Sequence, residues 1–135
     1  MTAAMVIRGR VVSGCGEGRY FVGRKEYVMQ IEEALGFIPF PGTLNLQVES
    51  AHLTSFQRLK DRPALILEGF SDGSQDYGQV IVHPCRLGDY GRCAVVIPEK
   101  GGYREVMEVI APHNLRERLS LCDGDRVEVT VPVPG

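Results

Sequence analysis

Val6-Ile7-Arg8-Gly9-Arg10-Val11-Val12-Ser13-Gly14-Cys15-Gly16-Glu17-Gly18-Arg19-Tyr20-Phe21 is the stretch on which the fold turns: a β-branched run passing into a loop of alternating glycines. The glycines strip side chains from the loop, so backbone N–H groups can approach a ligand closely. Arg19 adds a planar cationic fork suited to phosphate oxygens. The loop has no lysine for a Walker motif, and its Gly-x-Gly-x-Gly spacing runs into Arg19-Tyr20-Phe21-Val22 rather than opening a helix as a dinucleotide fingerprint does. Nor does the Cys15 to Arg19 spacing fit the Cys-x5-Arg loop of a phosphocysteine phosphatase. Two readings stay open, a phosphate cradle and a glycine-rich β-turn.

Outward from this stretch the chain is dominated by short strand patterns. Met5–Val12, Thr43–Val48, Ala64–Phe70, Tyr77–His83, Cys93–Ile97, Val106–Ile110 and Arg126–Val131 read as strands, the last with Val127, Val129 and Val131 on one face. Two helices are expected. One is Lys25–Leu35, with Val28, Ile31, Ala34 and Leu35 at helical spacing and Gly36 as its stop. The other is Asn114–Leu119, capped by Asn114 after Pro112. Pro39, Pro41 and Gly42 mark a loop, Gly69–Gly78 an exposed hairpin tip, and Asp123-Gly124-Asp125 a tight turn. Many short strands with no βαβ rhythm predict a mainly β protein, a small closed β-barrel with one or two short inserted helices.

The 135 residues suit a single domain spanning 1–135, large enough to bury a core without staples. Net charge is −2 with the signs interspersed, which argues against a sequence-independent DNA binder. Cys15, Cys85, Cys93 and Cys122 are scattered, and His52, His83 and His113 have no ligand spacing to them. Zinc and a disulfide framework are therefore not expected, and reduced, partly buried thiols are. With no leader-like segment and no apolar run of membrane-spanning length, a cytoplasmic protein is expected.

Three further constellations carry chemistry. A period of two puts Thr43 and Asn45 on one strand face, where two neutral oxygens can hold Mg²⁺ if phosphate and water complete the octahedron; the alternative is an ordinary polar strand face. In Ile110-Ala111-Pro112-His113-Asn114-Leu115-Arg116 a strand ends and a short helix begins, a place to receive an anion or a base edge, or simply a capped helix. Glu105 and Glu108, near the edge of an apolar strand, can orient a substrate hydroxyl or take its proton, or be solvated surface carboxylates.

In this order the segments resemble the archaeal-type CTP-dependent riboflavin kinase family. The resemblance is carried by Val11–Phe21, Leu35-Gly36-Phe37, Gly42-Thr43-Leu44-Asn45-Leu46, Val96-Ile97-Pro98, Glu108–Pro112, Leu115-Arg116-Glu117 and Asp123-Gly124-Asp125. It covers nearly the whole chain. It implies a six-stranded cradle-loop barrel that phosphorylates riboflavin to FMN, with CTP as donor and CDP as product. It further implies that Gly14, Cys15, Gly16, Glu17, Gly18 and Arg19 take the nucleotide phosphates, Thr43 and Asn45 bind Mg²⁺, and His113, Asn114, Leu115 and Arg116 hold the cytidine end. Glu108 then contacts the ribityl side of the flavin, with Glu108 and Arg19 the residues expected to serve catalysis. A Thr-x-Asn metal motif also occurs in ATP-dependent riboflavin kinases.

One departure stands out. The family typically carries a flavin-contacting threonine in the loop after Val-Pro, whereas Pro98-Glu99-Lys100-Gly101-Gly102-Tyr103-Arg104 is a residue shorter and places Gly101 or Gly102 there. Gly101 is thus the expected flavin-side position without a side-chain contact. The partners expected are riboflavin or FMN and CTP or CDP, with no nucleic acid, no membrane and a monomeric chain. A non-catalytic flavin- or nucleotide-binding regulator on the same barrel is the second hypothesis, and a DNA-binding dimer the third. The preference for CTP over ATP rests on the resemblance alone.

Overall fold

Arg126–Pro132 shows how this sequence builds a barrel wall: Val127, Val129 and Val131 point inward and are buried, while Arg126 and Glu128 face solvent. The computed structural model describes residues 4–13, 22–99 and 105–132. In chain order these form β1 (Ala4–Val12), α1 (Lys25–Leu35), β2 (Leu44–Val48), a 3-10 turn (Ser50–His52), α2 (Leu53–Asp61), β3 (Leu65–Leu67), β4 (Phe70–Ser71), β5 (Asp76–Tyr77), β6 (Val80–Leu87), β7 (Tyr90–Pro98), β8 (Val106–Ile110), α3 (Leu115–Arg118) and β9 (Arg126–Pro132). The main sheet runs β3-β6-β7-β8-β2-β1-β9, and an added β6–β9 pairing closes six of its strands into an antiparallel barrel. Closure leaves β3 as a flap on β6, and β4 and β5 form a separate small hairpin. The predicted barrel and its strand order along the chain are present.

Two apolar clusters explain the burial pattern. Inside the barrel, Ile7, Leu46, Val95, Met107, Val109 and Val129 are fully buried. Outside it, Tyr27 and Ile31 of α1 pack on Val80, Val82, Ala94, Val96 and Ile110. Strands β6 and β7 are therefore apolar on both faces, and their sequences do not alternate cleanly. Gly9 permits the tight wall: a Cβ there would sit 2.9 Å from the Gln47 carbonyl oxygen and 3.1 Å from the Leu46 Cβ.

Several local expectations shift. The buried face of α1 is Tyr27 and Ile31, with Ala34 exposed, because Tyr27 also donates its hydroxyl to the Gly78 carbonyl at 2.7 Å. Gly36 ends the helix as expected, at φ 77° with its N–H on the Glu32 carbonyl. The expected strand Ala64–Phe70 is broken: Gln30 of α1 bonds both the N–H and the C=O of Glu68 in place of a neighbouring strand. The strand expected at Tyr77–His83 starts at Val80 and runs on to Leu87. A helix that the sequence pattern did not reveal, α2, carries Phe56 and Leu59 into the barrel cluster, and the buried His83 ring meets the Leu59 carbonyl at 2.7 Å.

Candidate functional site

The antiparallel registers place two of the expected functional residues, Asn45 and Glu108, in one row across the outer wall. Val12 of β1 stands opposite Asn45 of β2, Asn45 opposite Glu108 of β8, and Glu108 opposite Val96 of β7. Ser13, the residue after β1, therefore follows directly on the position opposite Asn45. The row belongs to the outer face because Leu44, Leu46, Met107 and Val109 take the inner one. Asn45 is 9% exposed and Glu108 6% exposed, so each polar side chain is held within the wall.

Thr43, just before β2, donates its hydroxyl to Asn45 Oδ1 at 3.1 Å. That separation is close to the ~2.9 Å edge of an octahedron with Mg²⁺–O bonds of about 2.07 Å, so the donor pair fits two adjacent ligand positions. Both oxygens are neutral, which leaves the charge of a bound cation to be balanced by a ligand. Among the described residues no group of three or more His, Cys, Asp and Glu converges on a metal position.

Thr43 also lines a cleft of about 180 Å³ beside the row. Phe40, Gly42, Leu44, Val109 and Ala111 line it together with His113, Asn114, Leu115 and Arg116. The 37–43 loop is held against the end of β8 by the Phe40 N–H on the Ala111 carbonyl at 2.7 Å. Asn114 caps α3 as expected, its side chain accepting from the Glu117 N–H at 3.3 Å. His113 Nδ1 lies 2.8 Å from the Tyr90 hydroxyl, with the two rings edge to face. Burial first, then Cys93, raises the Tyr90 pKa.

The structure separates the two glutamates. Glu108 is buried in the middle of the sheet rather than near an edge, whereas Glu105 is exposed and accepts from Gln47 Nε2 at 3.2 Å. Among the cysteines, Cys85 and Cys93 are free and buried with their sulfurs 3.5 Å apart, remote in register from the row, and Cys122 is exposed. The hydrogen bond between the thiols raises the Cys85 pKa and lowers that of Cys93. The expected phosphate residues Gly14, Cys15, Gly16, Glu17, Gly18 and Arg19, and the flavin-side Gly101, lie outside the described residues.

Sequence reasoning did not single out Phe40, Tyr90, Ser13 or Asp123 as site residues. Tyr90 is 23 residues from His113, and Ser13 is 110 from Asp123, so only the fold reveals these pairs.

The family model described as a domain of unknown function, DUF120, and labelled as a CTP-dependent riboflavin kinase, matches residues 11–131. A protein of Thermoplasma acidophilum named riboflavin kinase is 42% identical over 127 residues, covering 94% of this chain and 57% of the relative. One of the same name from Archaeoglobus fulgidus is 44% identical over 126 residues, covering 93% of this chain and 54% of the relative. The Ignicoccus hospitalis riboflavin kinase is 42% identical over 126 residues, 93% of this chain and 70% of the relative. The chain thus spans little more than half the length of the first two of these relatives.

Proposed function

Since this chain belongs to the CTP-dependent riboflavin kinase family, we propose that it transfers the terminal phosphate of CTP to the 5′-hydroxyl of riboflavin, giving FMN and CDP. One observation carries this reading: the Val12–Asn45–Glu108 row sets the root of a glycine-rich segment, an oxygen pair and a buried carboxylate side by side, next to a cleft.

The chemistry needs positioning and charge stabilisation more than covalent catalysis. Gly14, Cys15, Gly16, Glu17 and Gly18 offer backbone N–H donors to the phosphates, and Arg19 a guanidinium to the transferring group. Thr43 and Asn45 hold Mg²⁺ through Oγ1 and Oδ1. The ion, when bound, supplies neutralisation of the phosphate oxygens. His113, Asn114, Leu115 and Arg116 receive the nucleoside end in the cleft, where a neutral pyrimidine edge meets N–H donors. Glu108 accepts a hydrogen bond from the 5′-hydroxyl, which orients its oxygen toward phosphorus and draws the proton as the new P–O bond forms. Gly101 leaves the flavin ring without a side-chain contact at that point of its loop, so the ribityl hydroxyls carry more of the orientation.

We place the reaction in the cytoplasm, where both substrates are dissolved; among the described residues no helix is long and apolar enough to cross a membrane. A flavin- or nucleotide-binding regulator is the second reading, favoured by Gly101 in place of threonine. FMN formation from riboflavin, CTP and Mg²⁺ separates the two. The kinase reading expects turnover in the wild type and its suppression by about 10²-fold or more in Thr43→Ala and Asn45→Ala, with melting temperatures little changed. Binding of both ligands without FMN would install the regulator, and wild-type turnover in both variants would remove the metal assignment.

A further inference from the structure

Three side chains meet where β1 ends. Ser13 Oγ donates to Asp123 Oδ1 at 2.7 Å. Arg116 Nη2 donates to Ser13 Oγ at 2.9 Å and pairs with the same Asp123 oxygen. The Arg116 guanidinium, and then the Ser13 hydroxyl, lower the Asp123 pKa, so the carboxylate is charged across the neutral range. Each member sits on a different piece of the site. Ser13 is the described residue that precedes the glycine-rich segment, Arg116 lines the cleft, and Asp123 opens the 123–125 turn. That turn is itself fixed to β1: the Gly124 N–H bonds the Val11 carbonyl at 2.8 Å, and the Val11 N–H bonds the Asp125 carbonyl at 2.9 Å.

An arginine on a helix of four residues, with a side chain 36% exposed, has many rotamers open to its long stem, of which the structure shows one. The Asp123 and Ser13 contacts select it. Both fall on Nη2, so the guanidinium keeps its Nε and Nη1 donors for a ligand. A guanidinium held in a fixed orientation can donate to a neutral acceptor, such as a pyrimidine carbonyl or a ribose hydroxyl.

We propose that Asp123, assisted by Ser13, is a positioning residue that aims Arg116 at the nucleoside part of the bound nucleotide and thereby sets nucleotide affinity without taking part in phosphate transfer. The inference rests on the reading of the His113–Arg116 turn as the nucleoside site. Loss of one aligned charged donor corresponds to roughly tenfold in affinity.

Calorimetric binding of CDP and CMP, with steady-state rates for riboflavin and CTP, tests it. Asp123→Ala is expected to weaken CDP and CMP by the same factor, roughly tenfold, and to raise the KM for CTP while kcat and the KM for riboflavin stay within about twofold. Asp123→Asn, which retains an acceptor at Oδ1, falls between Asp123→Ala and wild type, and Ser13→Ala shows a smaller loss of the same kind. The double variant Asp123→Ala/Arg116→Ala is no weaker than Arg116→Ala, because Asp123 acts through Arg116. Additive losses, a selective loss of CDP over CMP, or unchanged binding in Asp123→Asn and Ser13→Ala would each overturn the inference. Wild-type protein that binds neither CDP nor CMP overturns the nucleotide reading itself, and this inference with it.

Discussion

Asn45→Asp turns the central row of the site into a test of its own geometry. Asn45 and Glu108 are directly opposed in the β2–β8 pair, and both are buried. Side chains so opposed have Cβ atoms about 4.5–5.5 Å apart, which sets two carboxylates at roughly 5 Å. At an effective dielectric of about 20 their repulsion is about 3 kcal/mol. For a domain of this size that lowers the melting temperature by about 10 °C at pH 7.5. The penalty requires both groups to be ionised. It is greatest where both carboxyls are ionised and declines as falling pH protonates one of them. Millimolar Mg²⁺ should recover much of the loss, because Thr43 and two carboxylates then make a charged ligand set. Wild-type protein, with its two neutral oxygens, should show little change in melting with Mg²⁺ alone. Differential scanning fluorimetry at pH 7.5 and 5, with and without Mg²⁺, reads all four conditions. An Asn45→Asp protein that melts within about 2 °C of wild type at both pH values, and ignores Mg²⁺, would refute the row.

Two further outcomes follow from local geometry. Gly9→Ala should lose about 1–3 kcal/mol in urea unfolding, since its Cβ would meet the Gln47 carbonyl oxygen at 2.9 Å and that backbone is locked in the β1–β2 ladder; unchanged or raised stability would show that the wall can yield there. Asp72 accepts from the Ser74 N–H, the Ser74 hydroxyl, the Gln75 N–H and the Tyr77 hydroxyl, and these bonds lower its pKa to about 2. A depressed carboxylate contributes order above its unfolded value of about 3.9 that is lost as pH falls toward its folded value, so amide protection factors in the β4–β5 hairpin, relative to the intrinsic exchange rate at each pH, should fall between about pH 4 and pH 2. Asp72→Ala should remove that acid step, and its persistence in the variant would assign it to another group.

The legible parts of this protein are those whose information is local. Strand β8 has the limits its apolar run indicates, and β9 extends one residue past its alternating valines. Asn114 caps α3 through its own side chain. Helix α2 was not legible because Leu53, Phe56 and Leu59 form only a short i, i+3 series, and His52 at its N-cap makes no side-chain capping bond. It is stabilised by inserting Phe56 and Leu59 into the barrel, which is tertiary information. The break at Glu68 depends likewise on a side chain from α1.

Within the site, Thr43 and Asn45 were legible from the period of a strand. Glu105 and Glu108 are three apart, which in a strand places them on opposite faces, and that arithmetic already separates them. The burial of Glu108 depends instead on its position between β2 and β7, and the Ser13–Arg116–Asp123 cluster on contacts spanning 103 and 110 residues.

A direct comparison of kcat/KM for FMN formation with CTP, ATP, GTP and UTP, at saturating riboflavin and Mg²⁺, tests the central claim most directly. The account expects FMN and CDP in equal amounts, with CTP the fastest donor by at least about tenfold. FMN formed equally from ATP would keep the kinase and remove the cytidine assignment of His113–Arg116; no FMN from folded protein with any donor would contradict the account as a whole.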